Sequence, residues 1–308
     1  MLSVCIPVYN ARIDTLIKAL HYQKLKLKYQ VEIVVIDDAS AEQYRINNRL
    51  LSKYIDKYIE LDKNIGRSKI RNLFIQYASN QYLLFIDSDS VIDNSDFLKK
   101  YINVLKENRN KVIVGGSSYS DEKPDKNKML RWEYGKKTES QPAKRRNKEP
   151  YRSFKTNNVI IPANILNQIP FEEKLTGYGH EDTLMGYRLK KVGVGIIHID
   201  NYVINKELDT NEEFLNKSKE AVKSLFQALE ITGGDPEFIK DVKLLRWVSE
   251  LHKTKLSVIV LLMLKVADLF IEFFLKNGMP SVFLLNLVKL YHALNLSLKP
   301  EYSVFFRR

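Results

Sequence analysis

The segment LLFIDSDS, residues 83–90, places four apolar side chains directly before two aspartates that are separated by one serine. The apolar run predicts a buried strand, and Asp87 and Asp89 follow at its carboxyl end. Two carboxylates this close raise the free energy of ionising each other, and a nearby cation removes that cost. Hard divalent ions such as Mg²⁺ or Mn²⁺ prefer carboxylate oxygens as ligands. The segment therefore predicts a strand that ends at a Mg²⁺ or Mn²⁺ site.

The first third of the chain alternates apolar runs with helical patterns. The runs are LSVCIPV, VEIVVID, YIEL and YLLFID, and helices are predicted near residues 14–23, 42–53 and 67–78. This alternation predicts an α/β fold with a doubly wound, mainly parallel sheet, whose central strands are apolar because helices cover both faces. Ligands of such sheets bind outside the carboxyl ends of the strands, where PVYN, IDDAS and IDSDS fall. Three strands are therefore expected to place polar side chains at one edge.

Composition limits the classes of protein to which the chain can belong. Its 308 residues are 44% hydrophobic, which is typical of a globular protein and excludes disorder as the main state. The single cysteine, Cys5, leaves no disulfide framework, and the start of the chain has no pattern of a secretory leader, so a cytoplasmic location is expected. The net charge of +12 predicts an anionic partner, which composition alone leaves open between nucleic acid, a lipid surface and a phosphorylated substrate.

About half of that positive excess lies between Asp121 and Lys155, where twelve Lys or Arg side chains meet six Asp or Glu side chains. The apolar periodicity breaks there, and we expect a long loop or lid over the site. Order is expected to return with TNNVIIP from Thr156, followed by a helix over residues 181–191 and a last strand that ends near Ile199.

The rest of the chain, from about Asn211, is predicted to be helical. Residues 256–275 are almost entirely apolar except for Lys265, Asp268 and Glu272, which share one face of a helix and predict a single wet stripe. Residues 282–298 repeat this arrangement, and the polar interruptions argue against a simple membrane span. Three placements stay open: helices in the membrane interface, packing against the core or a second subunit, and a re-entrant hairpin.

Six short motifs occur in the order and spacing of a known family. The motifs are PVYN (7–10), IDDAS (36–40), NIGRSKIRN (64–72), IDSDS (86–90), TNNV (156–159) and GYGHEDTLMGYRL (177–189). Over residues 1–220 the chain resembles family 2 glycosyltransferases of the GT-A fold, which leaves residues 221–308 as a helical C-terminal extension. The resemblance implies an inverting enzyme that moves a sugar from a nucleotide-diphosphate donor, expected to be a UDP-sugar, to an acceptor hydroxyl in cell-surface polysaccharide or glycolipid synthesis.

The resemblance also assigns a donor site. Asp89, with Asp87, would hold the Mg²⁺ or Mn²⁺ ion that bridges the diphosphate of the donor. Tyr9, beside Pro7, can lay its ring against the nucleobase, although packing at the rim of the site is an alternative.

Two further groups are expected to touch the donor. Asp37 and Asp38 end the second strand, and a carboxylate there can accept the N3–H of uracil; the resemblance favours Asp38. Arg71 and Arg67 are four residues apart on one helix, and the resemblance favours Arg71 as the diphosphate or ribose contact, with Arg67 at the surface.

The transfer step needs a base for the acceptor hydroxyl, and the resemblance points to Asp182, with Glu181 gripping a sugar hydroxyl. Both residues begin a predicted helix, where the helix dipole favours ionised carboxylates, so simple helix capping is the alternative. The chain departs from the family pattern at HIDNYVIN, where Asn205 replaces a histidine that completes the metal site. Asn205 can offer an amide oxygen, whereas His198 is either a ligand or a packing residue at a strand end.

Two other function classes stay open at this point. A metal-dependent nucleotidyltransferase could use the same aspartate pair, but PVYNARIDT is a poor substitute for a glycine-rich triphosphate loop. A nucleic-acid-binding module would explain the charge, but the basic segment lacks aromatics at regular spacing. The expected partners are a nucleotide-sugar donor, a glycan or lipid-linked acceptor, the inner membrane surface as a peripheral site, and a possible second copy of the chain, with no nucleic acid.

Overall fold

The computed structural model describes residues 1–306. The chain divides into two compact units, and each is discontinuous in sequence. The first unit comprises Met1–Ser120, Glu139–Glu173 and Met185–Glu207. The second comprises Asp121–Thr138, Lys174–Leu184 and the chain from Leu208 onward.

The first unit contains all the strands of the described chain. They are β1 (Leu2–Val8), β2 (Val31–Asp37), β3 (Lys57–Glu60), β4 (Tyr82–Ile86), β5 (Ser90–Val91), β6 (Val112–Val114), β7 (Ser117–Ser118), β8 (Asn158–Pro162), β9 (Ile196–His198) and β10 (Val203–Asn205). Seven form a mixed sheet in the order β3-β2-β1-β4-β8-β6-β9, in which β8 alone runs antiparallel to its neighbours. The other three form a small sheet in the order β5-β10-β7. The predicted α/β fold with a mainly parallel sheet is thus confirmed, and the antiparallel β8 makes the sheet mixed.

Both faces of the large sheet are apolar, as the unbroken apolar runs predict. Along β1, Val4 and Ile6 belong to one buried core cluster, and Cys5 between them belongs to the other. Ile33 and Val34 on β2 divide in the same way, because successive side chains of a strand point to opposite faces. Each face therefore needs a cover of helices.

The described chain has fourteen α-helices. They are α1 (Asp14–Leu25), α2 (Glu42–Arg49), α3 (Arg67–Tyr77), α4 (Phe97–Glu107), α5 (Met129–Tyr134), α6 (Ala143–Arg146), α7 (Ala163–Gln168), α8 (Glu181–Lys191), α9 (Asn211–Ile231), α10 (Pro236–Asp241), α11 (Lys243–Lys253), α12 (Ser257–Lys276), α13 (Val282–Ser297) and α14 (Pro300–Ser303). The starts of α1, α2, α3 and α8 fall where the sequence predicts them. The second helix ends earlier than expected, at Arg49, and a 3₁₀ turn at Ser52–Tyr54 follows it.

The segment 121–155 is not the long loop that its composition predicts. It contains α5, a π-helical turn at Gly135–Glu139 and α6. The apolar side chains of Leu130 and Trp132 are buried, so this basic segment has packing partners of its own. The prediction of a long loop is therefore wrong; a role as a lid stays a prediction.

The boundary between the units also differs from the expected one at residue 220. Helix α9 continues through that position from Asn211 to Ile231. It begins with a capping box, in which the Thr210 side chain accepts from the backbone N–H of Glu213 and the Glu213 side chain accepts from the backbone N–H of Thr210. The last segment of the second unit begins at Leu208, just before this cap.

In the second unit, α12 and α13 pack with α9 through a small core. That core comprises Leu130, Phe214, Leu215, Ile271, Leu275, Leu285 and Val288. None of the helices within residues 1–306 is both long enough and apolar enough to cross a bilayer.

Candidate active site

Polar side chains follow three neighbouring parallel strands of the first unit, each where its strand ends. β1 lies between β2 and β4, and Val8 of β1 pairs in register with Asp37 of β2. Tyr9 follows β1, Asp38 follows β2, and the aspartate pair follows β4. The expectation that three strand ends place polar side chains at one edge of the sheet is confirmed.

The pair after β4 is held in a tight turn, in which the backbone N–H of Ser90 donates to the carbonyl of Asp87 at 3.1 Å. The Asp87 carboxylate accepts a hydrogen bond at 2.8 Å from the guanidinium of Arg71, which is only 3% exposed. Asp89 is exposed as a residue. Protein atoms around its carboxyl group, and the charges of Asp87 and then Glu207, nevertheless raise the pKa of Asp89 to about 6.

The small sheet brings Asn205 beside this pair. Strand β10 runs antiparallel to β5, and Asn205 lies opposite Ser90, the residue that directly follows Asp89. The Asn205 amide nitrogen donates to the hydroxyl of Tyr119 at 2.9 Å, and its oxygen makes no hydrogen bond that is seen among the described residues. The structure therefore places Asn205 opposite the residue that follows Asp89; its role as a ligand stays a prediction.

Glu207 is a functional candidate that the sequence reasoning missed. It follows Asn205 by two residues, and its negative charge contributes to the raised pKa of Asp89. The sequence did contain one signal for this role: Glu207 is acidic and follows Asn205, which replaces the metal-binding histidine of the family pattern, by two residues. That signal was weak, because only the pairing of β10 with β5 shows that this stretch runs past the aspartate turn.

These groups fit a Mg²⁺ or Mn²⁺ ion by their chemistry. Asp87, Asp89, Glu207 and Asn205 offer only oxygen ligands, and mutual repulsion of the carboxylates favours a cation. The buried hydroxyl of Ser90 also has no partner among the described residues. No three Asp, Glu, His or Cys side chains come within 4.8 Å of one another here, in contrast to Asp268, Glu272 and His292 in the second unit. An open site of this kind suits Mg²⁺ and Mn²⁺, because Mg²⁺ usually takes one or two carboxylates and the phosphates of its substrate.

His198 has a structural role instead of a place among these ligands. It is 2% exposed; its Nδ1 accepts from the Arg146 guanidinium at 2.9 Å and its Nε2 donates to the carbonyl of Pro150 at 2.9 Å. Burial, together with the Arg146 charge, lowers the pKa of His198 to about 4, so the ring is neutral. Both ring nitrogens are occupied, and the metal-ligand prediction for His198 does not fit its contacts.

Asp37 and Asp38 hold loops at the same edge. The Asp38 carboxylate accepts from the backbone N–H groups of Ile65 at 2.7 Å and Gly66 at 3.0 Å, which fixes the turn into α3. Gly66 has a φ of +85°, a conformation that suits glycine. Asp37 is fully buried; one carboxylate oxygen accepts from the backbone N–H of Ser40 at 2.7 Å, and the other has no partner among the described residues. These contacts give both residues a positioning role; contact with the nucleobase stays a prediction.

The first loop offers the ring that the sequence predicts. Tyr9 is 54% exposed, and Pro7 is partly exposed within β1. The next residue, Asn10, ties this loop to the loop after β2, since its backbone N–H donates to Ser40 Oγ at 2.8 Å and its side chain accepts from the backbone N–H of Ala41 at 2.8 Å. The exposed ring of Tyr9 therefore stands on a fixed loop.

Of the two arginines of α3, Arg67 is at the surface as expected, and the donor contact expected of Arg71 stays a prediction. Arg71 is buried and is engaged by Asp87, so it supports the aspartate turn. Arg67 is exposed in the first turn of α3, and its charge acts to lower the pKa of Asp89. The geometry thus brings Arg67, which was expected to be a mere surface residue, into electrostatic reach of the pair.

Glu181 and Asp182 begin α8 in the second unit, in the motif GYGHED. Gly179 and His180 both have left-handed backbones, with φ of +82° and +67°, and this turn aims the chain into the helix. A Cβ at Gly177 would lie 2.2 Å from Ser224 Oγ of α9, so a larger residue there would require the Ser224 side chain to move. The motif is therefore packed against α9, with both carboxylates half-buried in the first helical turn. Their catalytic roles stay predictions.

Residues 3–164 match the family described as glycosyl transferase family 2, which is more than half of the chain. The chain belongs to this family. Among its relatives, an uncharacterized glycosyltransferase of Haemophilus influenzae is 31% identical over 126 residues, which are 39% of this chain and 48% of the relative. The poly(ribitol-phosphate) beta-N-acetylglucosaminyltransferase TarS of Staphylococcus aureus is 33% identical over 116 residues, 36% of this chain and 20% of that protein. The matches thus span half or less of these relatives.

Two solved structures have a similar fold. The Pyrobaculum calidifontis mannosyltransferase, in complex with GDP-Man and Mn²⁺, is 16% identical with a TM-score of 0.55, over 99% of this chain and 82% of that one. The Staphylococcus aureus TarS fragment 1–349, in complex with UDP-GlcNAc, is 18% identical with a TM-score of 0.51, over 96% of this chain and 90% of that one. This family 2 glycosyltransferase therefore has a GT-A fold with a helical C-terminal region.

Proposed function

We propose that this family 2 glycosyltransferase moves a sugar from a UDP-sugar to an acceptor hydroxyl, with inversion at the anomeric carbon. The observation that carries the proposal is the aspartate turn after β4, which lies at the same sheet edge as the exposed ring of Tyr9 after β1. A turn of this kind is needed where a diphosphate must leave as an anion.

Residues of the first unit would bind the donor. Tyr9 would stack its exposed ring on the uracil, because an aromatic ring stacks favourably on the flat face of any base. Arg67, in the first turn of α3, would meet the diphosphate together with the backbone N–H groups of that turn. Asp38 would keep this turn in place through its two backbone hydrogen bonds.

Asp89, Asp87, Asn205 and Glu207 would hold a Mg²⁺ or Mn²⁺ ion, with Arg71 fixing the orientation of Asp87. When bound, this ion supplies positive charge that stabilises the departing UDP. Arg71 leaves Asp87 only partly available, so we assign the stronger share of binding to Asp89.

The two carboxylates at the start of α8 would act on the acceptor. Asp182 would take the proton of the attacking hydroxyl, and Glu181 would accept a hydrogen bond from a sugar hydroxyl. Both carboxylates lie in the first turn of α8. An acceptor in a cell-surface polysaccharide or glycolipid agrees with the name of the Staphylococcus aureus relative, of which the match covers only 20%.

The test is a donor screen with purified protein. Binding of UDP and GDP sugars is followed by thermal shift with Mn²⁺ and with EDTA, and release of the free nucleotide is then measured for each donor that binds. We expect a UDP-sugar to raise Tm with Mn²⁺ and to release UDP. Release of pyrophosphate from a nucleoside triphosphate, with no UDP release from any sugar donor, would contradict the proposal and favour a nucleotidyltransferase.

A further inference from the structure

Helix α12 uses three residues of its polar stripe in contacts within the second unit, whereas the sequence predicts a stripe exposed to water. Glu272 forms an ion pair with Lys219 of α9, and Lys276 Nζ lies 2.9 Å from a carboxylate oxygen of Glu212, also on α9. Asp268 Oδ1 is buried next to Glu272, and its pKa is raised to about 6 by burial and by the Glu272 charge. Asp268 and Glu272 of the stripe are thus partly buried within the unit, whereas Lys265 is exposed.

Another side of α12 is apolar and exposed. We call it the outer face; it comprises Val258, Ile259, Leu262, Met263, Val266, Leu269, Phe270 and Phe273. Each of these side chains is at least half exposed, and Leu269 reaches 78%. Their spacing by three and four residues makes one continuous stripe along a helix of about 30 Å. A stripe of this extent marks an interaction surface, because soluble monomers rarely expose large contiguous apolar patches.

Charge decides which partner covers the outer face. The protein carries a net charge of +12, so a second copy is repelled and an anionic surface is attracted. The exposed Lys265 lies on α12 beside the outer face, and the exposed Lys253 and Lys255 lie just before the helix. Long lysine stems can bury their methylenes in a lipid interface while the ammonium groups reach the phosphates of the headgroups.

We propose that the outer face of α12 docks on an anionic lipid bilayer, with the helix lying parallel to the membrane plane. The apolar side chains enter the boundary between headgroups and acyl chains. An isolated interfacial helix turns a polar face to water, and here the remainder of the second unit lies on that side of α12 instead. This surface is separate from the transfer chemistry, so its test does not depend on the proposed function.

The experiment compares vesicle binding of the full chain and of a face-directed variant. The variant V266E/L269E changes two side chains that are 72% and 78% exposed, so it is expected to fold. The matched control is L50E/V192E, which places the same charges on two apolar side chains of the first unit that are 72% and 60% exposed. Thermal melts check that all three proteins are folded.

Co-sedimentation is measured with vesicles of phosphatidylcholine alone and of phosphatidylcholine mixed with phosphatidylglycerol. We expect the unchanged chain and the control to sediment with the mixed vesicles, and the variant V266E/L269E to bind at least tenfold more weakly. Raised salt should weaken binding, as screening removes the electrostatic part. Binding that is equal in the variant and the unchanged chain, or no binding of the unchanged chain, would overturn the proposal.

Two further measurements separate the membrane from a second copy. The chain has one cysteine, the fully buried Cys5, so Leu269→Cys introduces one accessible thiol for an environment-sensitive dye. We expect its emission to shift to the blue with anionic vesicles, and a dye at Leu50→Cys to stay unshifted. Light scattering without vesicles should give a monomer. A dimer that V266E/L269E dissociates would overturn the proposal in favour of self-association.

Discussion

The strand-end edge of the first unit and helix α12 of the second unit treat polar groups in opposite ways. At the edge, Asp87 and Asp89 lie at the end of a fully buried apolar strand, and the buried Arg71 steadies one of them. In α12, Asp268 and Glu272 are partly buried, and the eight apolar side chains of the outer face are exposed. A strand end exposes its polar tip whichever way the sheet is covered, whereas an amphipathic helix can turn either face inward. The predictions below test this comparison, in order of falling effect.

The aspartate turn should carry the largest effect on activity. Asp89→Asn removes the carboxylate that is most available to a divalent ion, and we expect UDP release to fall roughly a thousandfold. Asp93→Asn is the matched control, because Asp93 is an exposed carboxylate just beyond β5. Mn²⁺ binding by calorimetry should weaken for Asp89→Asn alone. Normal turnover by this variant would show that the edge is not the metal site.

The next effect concerns the base. Asp182→Asn keeps the shape of the first turn of α8 but cannot accept a proton, so transfer should fall roughly 100- to 1,000-fold. Binding of UDP with Mn²⁺ should change little, since the nucleotide site is assigned to the first unit. Single-turnover transfer and UDP titration measure the two effects separately. A loss of UDP binding equal to the loss of transfer would refute the assignment of the base.

A stability effect should follow the loss of the buried arginine. Arg71→Met leaves the Asp87 carboxylate without its donor, and we expect the free energy of unfolding to fall by about 1–3 kcal/mol in urea denaturation. The double variant R71M/D87N should recover part of this loss, because no charge is then left unpaired. If R71M is as stable as the unchanged chain, Arg71 does not hold the turn.

The smallest effect concerns thermal stability and tests the partly buried Asp268 of the polar stripe. The pKa of Asp268, about 6, lies above its ordinary value near 4, so the folded protein binds more protons than the unfolded chain between these values. Stability is therefore lost as pH rises through this window. Asp268→Asn avoids the loss, and its Tm should exceed that of the unchanged chain by about 1–3 °C at pH 7.5 but not at pH 4. If Asp268→Asn and the unchanged chain have equal Tm values at both pH values, the Asp268 carboxyl group is solvated in the folded protein.

The first unit was largely predictable because its information is local. Buried strands such as VEIVVID and LLFI can be predicted from their unbroken apolar runs, and the polar residues that end them follow directly in the chain. The helix starts at Asp14, Arg67 and Glu181 were predictable for the same reason. His198 was not, since its burial depends on Arg146 and Pro150, which lie about fifty residues away in sequence.

The sequence by itself determined the order of strands and helices, the three polar strand ends, and the stripe of Lys265, Asp268, Glu272 and Lys276 on one side of a helix. Only the tertiary structure decided which of these residues have partners. It brought Glu272 and Lys276 to Lys219 and Glu212 of α9, left Lys265 exposed, brought Glu207 near Asp89 through the pairing of β10 with β5, and buried Arg71 against Asp87. The physical reason is that periodicity records neighbours along one element, whereas burial depends on the partners that other elements supply.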